Sequence, residues 1–207
     1  MKVVTISDTH EEHRKLTDLP PGDMIIHCGD STNRGWHKDI QDFCNWFGAL
    51  DYKYKIIIPG NHDFLWEDIT DELKKQLLQD DIILLIDEFI EIEGVKIYGT
   101  PWSPIFCNWA FMLNDMERNL KWQEIPENLD ILITHAPPKY ILDLCNEHAG
   151  CEFLMRRIKE VKPKYHVFGH IHEGFGTYET DDTTFINASI SIRNNNFSSN
   201  KPITFEI

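Results

Sequence analysis

Positive charge is scarce in this sequence, which has 20 lysine and arginine residues against 34 aspartate and glutamate residues. The resulting formal charge of −14 would repel a polyanion from most of the surface. We therefore expect no nucleic-acid polymer as a general partner. A bound divalent cation reverses the charge locally, so the same chain can still bind a small anionic substrate.

Cysteine pairs and long apolar runs are also missing. The five cysteines form neither an even set nor a CxxC pair, which argues against a disulfide framework. No signal peptide is recognisable, and no apolar run is long enough to span a bilayer. We expect a water-soluble protein of a reducing cytoplasm, without a membrane partner.

The length and composition are sufficient for one hydrophobic core. A chain of 207 residues with 42% hydrophobic residues can close such a core but is short for two independent domains. We therefore predict a single domain over 1–207.

Short apolar runs alternate with segments of helical spacing through the first two thirds of the chain. Each of five runs stops at polar residues, as a buried strand does where it enters a loop: 3–6, 24–28, 55–58, 131–134 and 166–168. Helices are predicted over 40–50, 71–78 and 152–161. This alternation favours right-handed crossovers and a largely parallel sheet.

Other segments predict short strands joined by turns. The region 82–98 indicates three strands, with a turn at 93–94. Strands over 177–180, 184–188 and 203–207 suggest antiparallel pairing near the C-terminus. The asparagine and serine cluster at 194–200 is predicted to be a loop.

Residue types that bind metal ions follow the predicted strands in one consistent arrangement: Asp8-Thr9-His10, Gly29-Asp30, Gly60-Asn61-His62-Asp63, His135 and Gly169-His170-Ile171-His172. Carboxylate and amide oxygens with imidazole nitrogens suit Mn²⁺, iron or Zn²⁺. If Asp8 and His10 lay in a regular strand, both would face one side, and the same holds for His170 and His172. A two-metal site needs a shared ligand, and the carboxylate of Asp30 is the natural candidate.

This order of motifs resembles the calcineurin-like metallophosphoesterase superfamily, whose pattern is Asp-x-His, Gly-Asp, Gly-Asn-His-Asp or Glu, His, and Gly-His-x-His. The resemblance implies an α/β fold, a four-layer αββα sandwich with two mixed sheets flanked by helices and a metal site at the strand carboxyl ends. It also implies two sets of ligands that share one residue: Asp8, His10, Asp30 and His172 for one ion, and Asp30, Asn61, His135 and His170 for the other.

Further strings resemble one branch of the superfamily, the metallophosphoesterase-domain-containing proteins related to the fetal-brain 239 protein: Gly99-Thr100-Pro101-Trp102-Ser103-Pro104, Thr134-His135-Ala136-Pro137-Pro138 and Ile186-Asn187-Ala188-Ser189. Some animal members of this branch carry glycine at the position of His170, which weakens their metal site. The histidine here predicts an intact site. For Asn187 and Ser189 the resemblance implies contact with a nucleotide.

The activity implied is hydrolysis of small phosphodiesters, such as cyclic nucleotides or simple nucleotide and aryl diesters. Two divalent ions, Mn²⁺ foremost with iron, Zn²⁺, Ni²⁺ or Mg²⁺ as other candidates, would supply a bridging hydroxide for in-line attack. His62 would be the histidine beside the leaving group, where imidazole is suited to general acid catalysis.

Residues around His62 leave alternatives open. The string from Gly29 to Gly35 resembles that of protein phosphatases, except that Asn33 replaces an acidic residue that would orient the catalytic histidine. Asp63 is expected to compensate. Arg34 is either a phosphate clamp or a solvated loop arginine.

The aromatic residues of segment 102–111 are open to two interpretations. Trp102, Phe106, Trp109 and Phe111 either wall a pocket that stacks a nucleobase or pack the core. Among the remaining histidines, His27 and His166 are predicted core residues, His37 and His148 surface residues, and His13 is predicted to line the entrance to the site.

Three other functions compete with the diesterase. Metal ligands alone do not fix the leaving group, so the same site could serve a phosphomonoesterase or protein phosphatase. A nucleotide-binding module with residual activity is the alternative from another class. A nuclease ranks lower, because the surface is acidic.

Overall fold

The computed structural model of the chain describes residues 1–78, 81–191 and 200–207. Residues 194–199 of the predicted asparagine- and serine-rich loop lie outside this part. Among the described residues, no helix combines the length and the apolar character that crossing a membrane requires.

The first sheet has five strands: β1 Lys2–Ile6, β2 Met24–His27, β3 Tyr54–Ile57, β4 Ile82–Leu84 and β13 Ile203–Glu206. Their order in the sheet is β13-β1-β2-β3-β4. Strands β1 to β4 are parallel, and β13 pairs antiparallel with β1. Helices α1, His37–Gly48, and α2, Asp71–Leu77, lie between β2 and β4 in the chain.

The second sheet has six strands: β5 Glu88–Ile92, β6 Val95–Thr100, β9 Ile131–Thr134, β10 Tyr165–Phe168, β11 Gly176–Glu179 and β12 Thr184–Asn187. Their order is β11-β12-β10-β9-β6-β5. The four central strands are parallel, and the two edge strands β5 and β11 are antiparallel to their neighbours. Helices α3, Asp115–Gln123, and α4, Glu152–Val161, flank β9 in the chain.

Three separate hydrophobic clusters show that the elements form four layers. Successive residues of the strands alternate between clusters, because side chains of a strand point to opposite faces. Val4 packs with α1, while Val3 packs between the two sheets. In the second sheet, Ile131 faces the first sheet and Leu132 faces α3 and α4. The predicted sandwich of two mixed sheets flanked by helices is confirmed.

Some features differ from the prediction. The C-terminal strands β11 and β13 are antiparallel to their neighbours, but β12 lies parallel to β10. Helix α3 was not predicted, because its inward side holds Arg118 and Trp122 while Met116 and Leu120 face solvent. A capping box from Asn114 to Glu117 was the readable signal for its start. The two-residue strands β7, Ser103–Pro104, and β8, Met112–Leu113, were not predicted either.

The two sheets meet at the carboxyl end of β1. Ser7 forms an isolated parallel bridge with Ser189, and the backbone N–H of Ile190 donates to the carbonyl of Ser7 at 3.1 Å. This junction brings the residues that follow β1 next to those that follow β10.

Candidate metal centre

The predicted ligands meet at the carboxyl ends of strands from both sheets. Residues after β1, β2 and β3 come from the first sheet, and residues after β9 and β10 come from the second. Three overlapping groups could each hold a metal ion, with candidate ligand atoms within 4.8 Å of one another: Asp8, His10 and His172; His10, Asp30 and His62; and Asp30, His135 and His170.

Asp30 lies at the centre of these groups. Its Oδ2 is 3.4 Å from Nε2 of His135, 3.8 Å from Nε2 of His10 and 3.9 Å from Nε2 of His62. Its Oδ1 accepts a hydrogen bond of 2.8 Å from the backbone N–H of His62. One carboxylate therefore faces imidazoles delivered by three different strands.

Asp8 joins the two sheets at the other side of the centre. Its carboxylate accepts from the backbone N–H of His170 at 3.0 and 3.1 Å and lies 3.4 Å from Nε2 of His172. The Nε2 atoms of His10 and His172 are 3.4 Å apart. The His-x-His segment is thus held against the loop that follows β1.

The hydrogen bonds of His135 test whether this group fits a cation. Its Nδ1 is 2.8 Å from the carbonyl of Cys28, which can only accept, so Nδ1 carries the proton. In the neutral ring, Nε2 then directs a lone pair toward Oδ1 of Asn61, 3.0 Å away, and Oδ2 of Asp30. Once Nε2 has lost its proton, three electron-pair donors converge, an arrangement that fits a divalent metal ion.

Burial and charge act in opposite directions on the ionisable groups of the centre. Burial alone would raise the pKa of Asp30, but the charge and hydrogen bond of His135 outweigh it and hold the pKa well below its ordinary value. Burial likewise opposes ionisation of Asp8, and His172 overcomes it, so that pKa is also low. For His135, burial disfavours the charged form, yet Asp30 raises the pKa to about 9.

The ligand pairs converge through loop geometry, so the argument from strand alternation was wrong. Asp8, His10, Asp30 and His170 all lie beyond strand ends and have positive φ, between 43° and 66°. Such a backbone costs about 1–3 kcal/mol per residue and persists only where the surroundings enforce it. Packing around Gly60 and Gly169 is equally tight, since a Cβ there would collide with the carboxylates of Asp30 and Asp8 respectively.

His62 is oriented by the main chain of Asn33. Its Nδ1 donates to the carbonyl of Asn33 at 2.8 Å, which leaves Nε2 facing Asp30. The side-chain amide of Asn33 instead donates to the carbonyl of His10 at 3.3 Å. In the phosphatase-like string an acidic side chain would stand at position 33 and orient the histidine. Here the peptide carbonyl of Asn33 takes that place.

Asp63 does not compensate for Asn33 as expected. The carboxylate is buried beneath the loop and accepts five hydrogen bonds, from the backbone N–H of Gly60, Ser31 and Thr32 and from the hydroxyls of Ser31 and Thr32. Burial is the first cause that raises its pKa, followed by the charge of Asp30. Asp63 thus ties the loop after β3 to the loop after β2.

Arg34 and the aromatic segment have distinct positions. The guanidinium carbon of Arg34 lies 4.6 Å from the ring centroid of Trp109, and that indole packs on His62 at 4.1 Å. Phe111 is buried in the core, while Phe106 is exposed and 6.5 Å from His170. The contact of Trp109 with His62 was missed, because the sequence gives no register for this segment.

Trp102, Asn187 and Ser189 each have contacts that support the fold, and a contact with substrate stays a prediction for all three. The indole N–H of Trp102 donates to Asp87 at 2.9 Å. The amide of Asn187 donates to the carbonyls of Ile171 and Leu142 at 2.8 and 3.1 Å. Asn187 therefore holds the backbone between His170 and His172, and Ser189 belongs to the bridge between the sheets.

The histidines outside the motifs are mostly structural. His27 and His166 are buried, as predicted, and burial lowers the pKa of each to about 3. His13 is buried beside Asp42 and does not line an entrance. His37 and His148 are exposed, which confirms their prediction as surface residues.

A profile described as calcineurin-like phosphoesterase matches residues 1–174, which is most of the chain. The chain belongs to this family. Its sequence is 38% identical to human metallophosphoesterase domain-containing protein 1 over 91% of this chain and 66% of the relative. It is 36% identical to UPF0046 protein T07D4.2 of Caenorhabditis elegans over 100% of this chain and 60% of the relative. The chain thus spans about two thirds or less of each relative's length.

Solved structures of low sequence identity share the fold. The structure of TT1561 from Thermus thermophilus is 12% identical, covers 90% of this chain and 88% of its own, and has a TM-score of 0.66. The resemblance drawn from the motifs is therefore confirmed at the level of family and fold. The family is described by phosphoester chemistry, and the described residues include three groups that could hold a metal ion.

Metal binding is expected to strengthen with pH, because His135 must lose its proton to become a ligand. With its pKa near 9 in the metal-free protein, we expect the apparent affinity for Mn²⁺ to rise about tenfold per pH unit between about pH 6.5 and 8.5. Burial lowers the pKa of His170 to about 4, so this ring is already neutral and contributes no proton. Calorimetric titrations in buffers of different ionisation enthalpy would count the protons released.

The matched variants are His135→Gln and His166→Gln. The first should remove about one released proton, while the second changes a buried histidine outside the centre and should leave the count unchanged. A pH-independent affinity of the unchanged protein would contradict the assignment.

Asp63→Ala is expected to destabilise the protein by about 3–5 kcal/mol, because buried donors lose a charged acceptor. Asp63→Asn keeps part of the acceptor capacity and should cost less. Asp182→Ala provides the control, since this exposed carboxylate pairs with Lys162 at the surface and should cost no more than about 1 kcal/mol. Urea unfolding measures all three, and equal losses for Asp63→Ala and Asp182→Ala would refute the tying role.

Proposed function

We propose that this chain hydrolyses small phosphodiesters with the help of two divalent ions, Mn²⁺ foremost. The observation that carries the proposal is the position of Asp30, which belongs to two candidate ligand groups, one with His10 and His62 and the other with His135 and His170. Nε2 of His62 lies 3.9 Å from Oδ2 of Asp30. A shared carboxylate suits a pair of ions, and a histidine beside it suits proton transfer to a leaving group.

The ligands divide into two sets around the shared residue. Asp8, His10 and His172 would complete the first with Asp30; Asn61, His135 and His170 would complete the second. When bound, the ions would polarise the phosphoryl oxygens and make a water molecule easier to deprotonate. The chain itself keeps His135 in the tautomer that offers Nε2, through the hydrogen bond from Nδ1 to the Cys28 carbonyl.

His62 would act as the general acid. Attack by the water oxygen forms a new P–O bond and releases one water proton to solvent as the bond to the leaving oxygen breaks. The leaving oxygen takes the proton from Nε2 of His62. Nδ1 remains bonded to the carbonyl of Asn33 throughout, which keeps Nε2 as the only ring nitrogen that exchanges its proton. The water supplies the nucleophile, so no covalent phosphoenzyme forms.

The charges of the centre favour a small anion of low charge. Hydrogen-bond and ion-pair partners of Asp8 and Asp30 are imidazoles and backbone N–H groups. The bound ions would therefore supply most of the positive charge for the phosphoryl group. A diester carries one negative charge there and a monoester up to two, which makes the diester the less demanding substrate. A nucleotide diester is one substrate of this class.

Rates on an aryl phosphodiester and an aryl phosphomonoester with added Mn²⁺ test the proposal. We expect faster hydrolysis of the diester, and we expect His170→Gly to lower that rate at least about 100-fold because one ligand is lost. His37→Ala, at an exposed position, should retain the rate. Hydrolysis of the monoester alone would overturn the choice of substrate, and unchanged activity in His170→Gly would favour a nucleotide-binding module.

The acid role of His62 predicts a dependence on the leaving group. His62→Gln should slow an alkyl diester by about 100-fold or more, because an alkoxide needs a proton to leave. An ester of 4-nitrophenol should slow much less, since its leaving group is stable as an anion. Asn33→Ala retains the carbonyl that bonds Nδ1 and should change the ratio of the two rates little. Equal losses on both esters in His62→Gln would exclude His62 as the acid.

A further inference from the structure

The packing around His62 includes an aromatic residue that the metal chemistry does not explain. Trp109 lies in the loop between β7 and β8, and its indole is 4.1 Å from the imidazole of His62, with the planes tilted by 33°. On another side, the ring of His10 meets His62 edge to face at 4.8 Å. The imidazole is thus enclosed by two rings in addition to its hydrogen bond with Asn33.

The loop that carries Trp109 is attached directly to the loop that carries His62. The backbone N–H of Ala110, next to Trp109, donates to the carbonyl of Asn61, next to His62, at 3.0 Å. The N–H of Phe111 donates to the carboxylate of Glu67 at 2.8 Å, and the Phe111 side chain is buried. These hydrogen bonds fix the position of the loop, and the loop in turn holds the indole ring of Trp109 against the imidazole of His62.

Other groups hold the indole in place. The ring centroid of Phe64 lies 5.9 Å from that of Trp109. The guanidinium carbon of Arg34 lies 4.6 Å from the Trp109 ring centroid, a distance suited to a cation–π interaction. A ring packed against His62, Phe64 and Arg34 is poorly placed to stack a nucleobase. This arrangement favours a role toward His62 over the substrate-stacking role considered for the aromatic segment.

We propose that Trp109 is a positioning residue for His62, which packs against the imidazole so that Nε2 stays directed at the metal centre and the leaving group. A hydrogen bond at Nδ1 alone leaves the ring free to rock about that contact. The indole removes this freedom, and a displacement of about 1 Å in a reacting group is enough to slow a reaction about 100-fold. The inference rests on the proposed acid role of His62.

Variants of Trp109 separate positioning from simple packing. Trp109→Ala should lower kcat for an alkyl phosphodiester at least about tenfold and change the 4-nitrophenyl ester less than about threefold, with metal content unchanged. Trp109→Phe keeps an aromatic face and should recover most of the loss. Trp109→Leu keeps apolar bulk without the ring and should lower the rates as the alanine variant does. The leucine variant replaces the alanine variant in the test if the latter fails to fold.

Trp36→Ala is the matched control. Trp36 is 64% exposed at the start of α1, so most of its side chain faces solvent. This variant should keep both rates. Equal losses on both esters in Trp109→Leu, or no loss on the alkyl ester, would overturn the positioning role.

A readout without turnover distinguishes failure of this inference from failure of the proposed function. In the metal-free full chain, the Nδ1–H of His62 should give a proton resonance protected by its bond to Asn33, and Trp109→Leu should broaden it by exchange. The resonances of buried His27 should not move. If the protein hydrolyses no diester, the proposed function fails, and this resonance still decides whether Trp109 holds His62. An unchanged resonance in Trp109→Leu would reject the inference.

Discussion

Two carboxylates buried at the strand ends are the constraint on which the site depends. Asp8 and Asp30 are 0% and 2% exposed, and an isolated buried carboxylate would cost several kcal/mol. Imidazoles and backbone N–H groups from both sheets surround them in compensation. The lowered pKa of each carboxyl group and the raised pKa of His135 both result from attraction between carboxylate and imidazolium, which outweighs the effect of burial. The centre is therefore built to accept positive charge, whether it comes from protons or from metal ions.

This requirement explains the local geometry around the centre. Loops must approach so closely that side chains at positions 60 and 169 would collide with the two carboxylates. Residues with functional side chains must also adopt left-handed backbone where glycine would be easier. Tight hydrogen bonding opposes this strain: Asp63 gathers five donors from the loops after β2 and β3, and Asn187 holds the segment between His170 and His172.

Much of the fold and of the ligand set could be predicted from the sequence, because both depend on patterns along the chain. Short apolar runs such as 131–134 indicate the buried strands, and the motifs name the metal-binding residue types. Contacts made by the main chain produce no recognisable pattern in the sequence. Nothing in the identity of Asn33 shows that its carbonyl would bond His62, and nothing in segment 102–113 shows which aromatic ring would reach the site. For Asn187 the family resemblance predicts contact with a nucleotide, and the sequence does not show that its side-chain amide bonds the carbonyls of Ile171 and Leu142.

The loop after β2 controls the protonation pattern of two histidines on either side of Asp30. The carbonyl of Cys28 accepts from Nδ1 of His135, and the carbonyl of Asn33 accepts from Nδ1 of His62. Both rings therefore present Nε2 to Asp30, one as a candidate ligand and the other as a candidate acid. Since peptide carbonyls fix both tautomers, a side-chain substitution at 28 or 33 leaves the acceptors in place as long as the loop keeps its shape. Asp63 holds this loop in shape through its hydrogen bonds to Ser31 and Thr32. The tautomers of His62 and His135 therefore depend on a buried carboxylate that contacts neither imidazole.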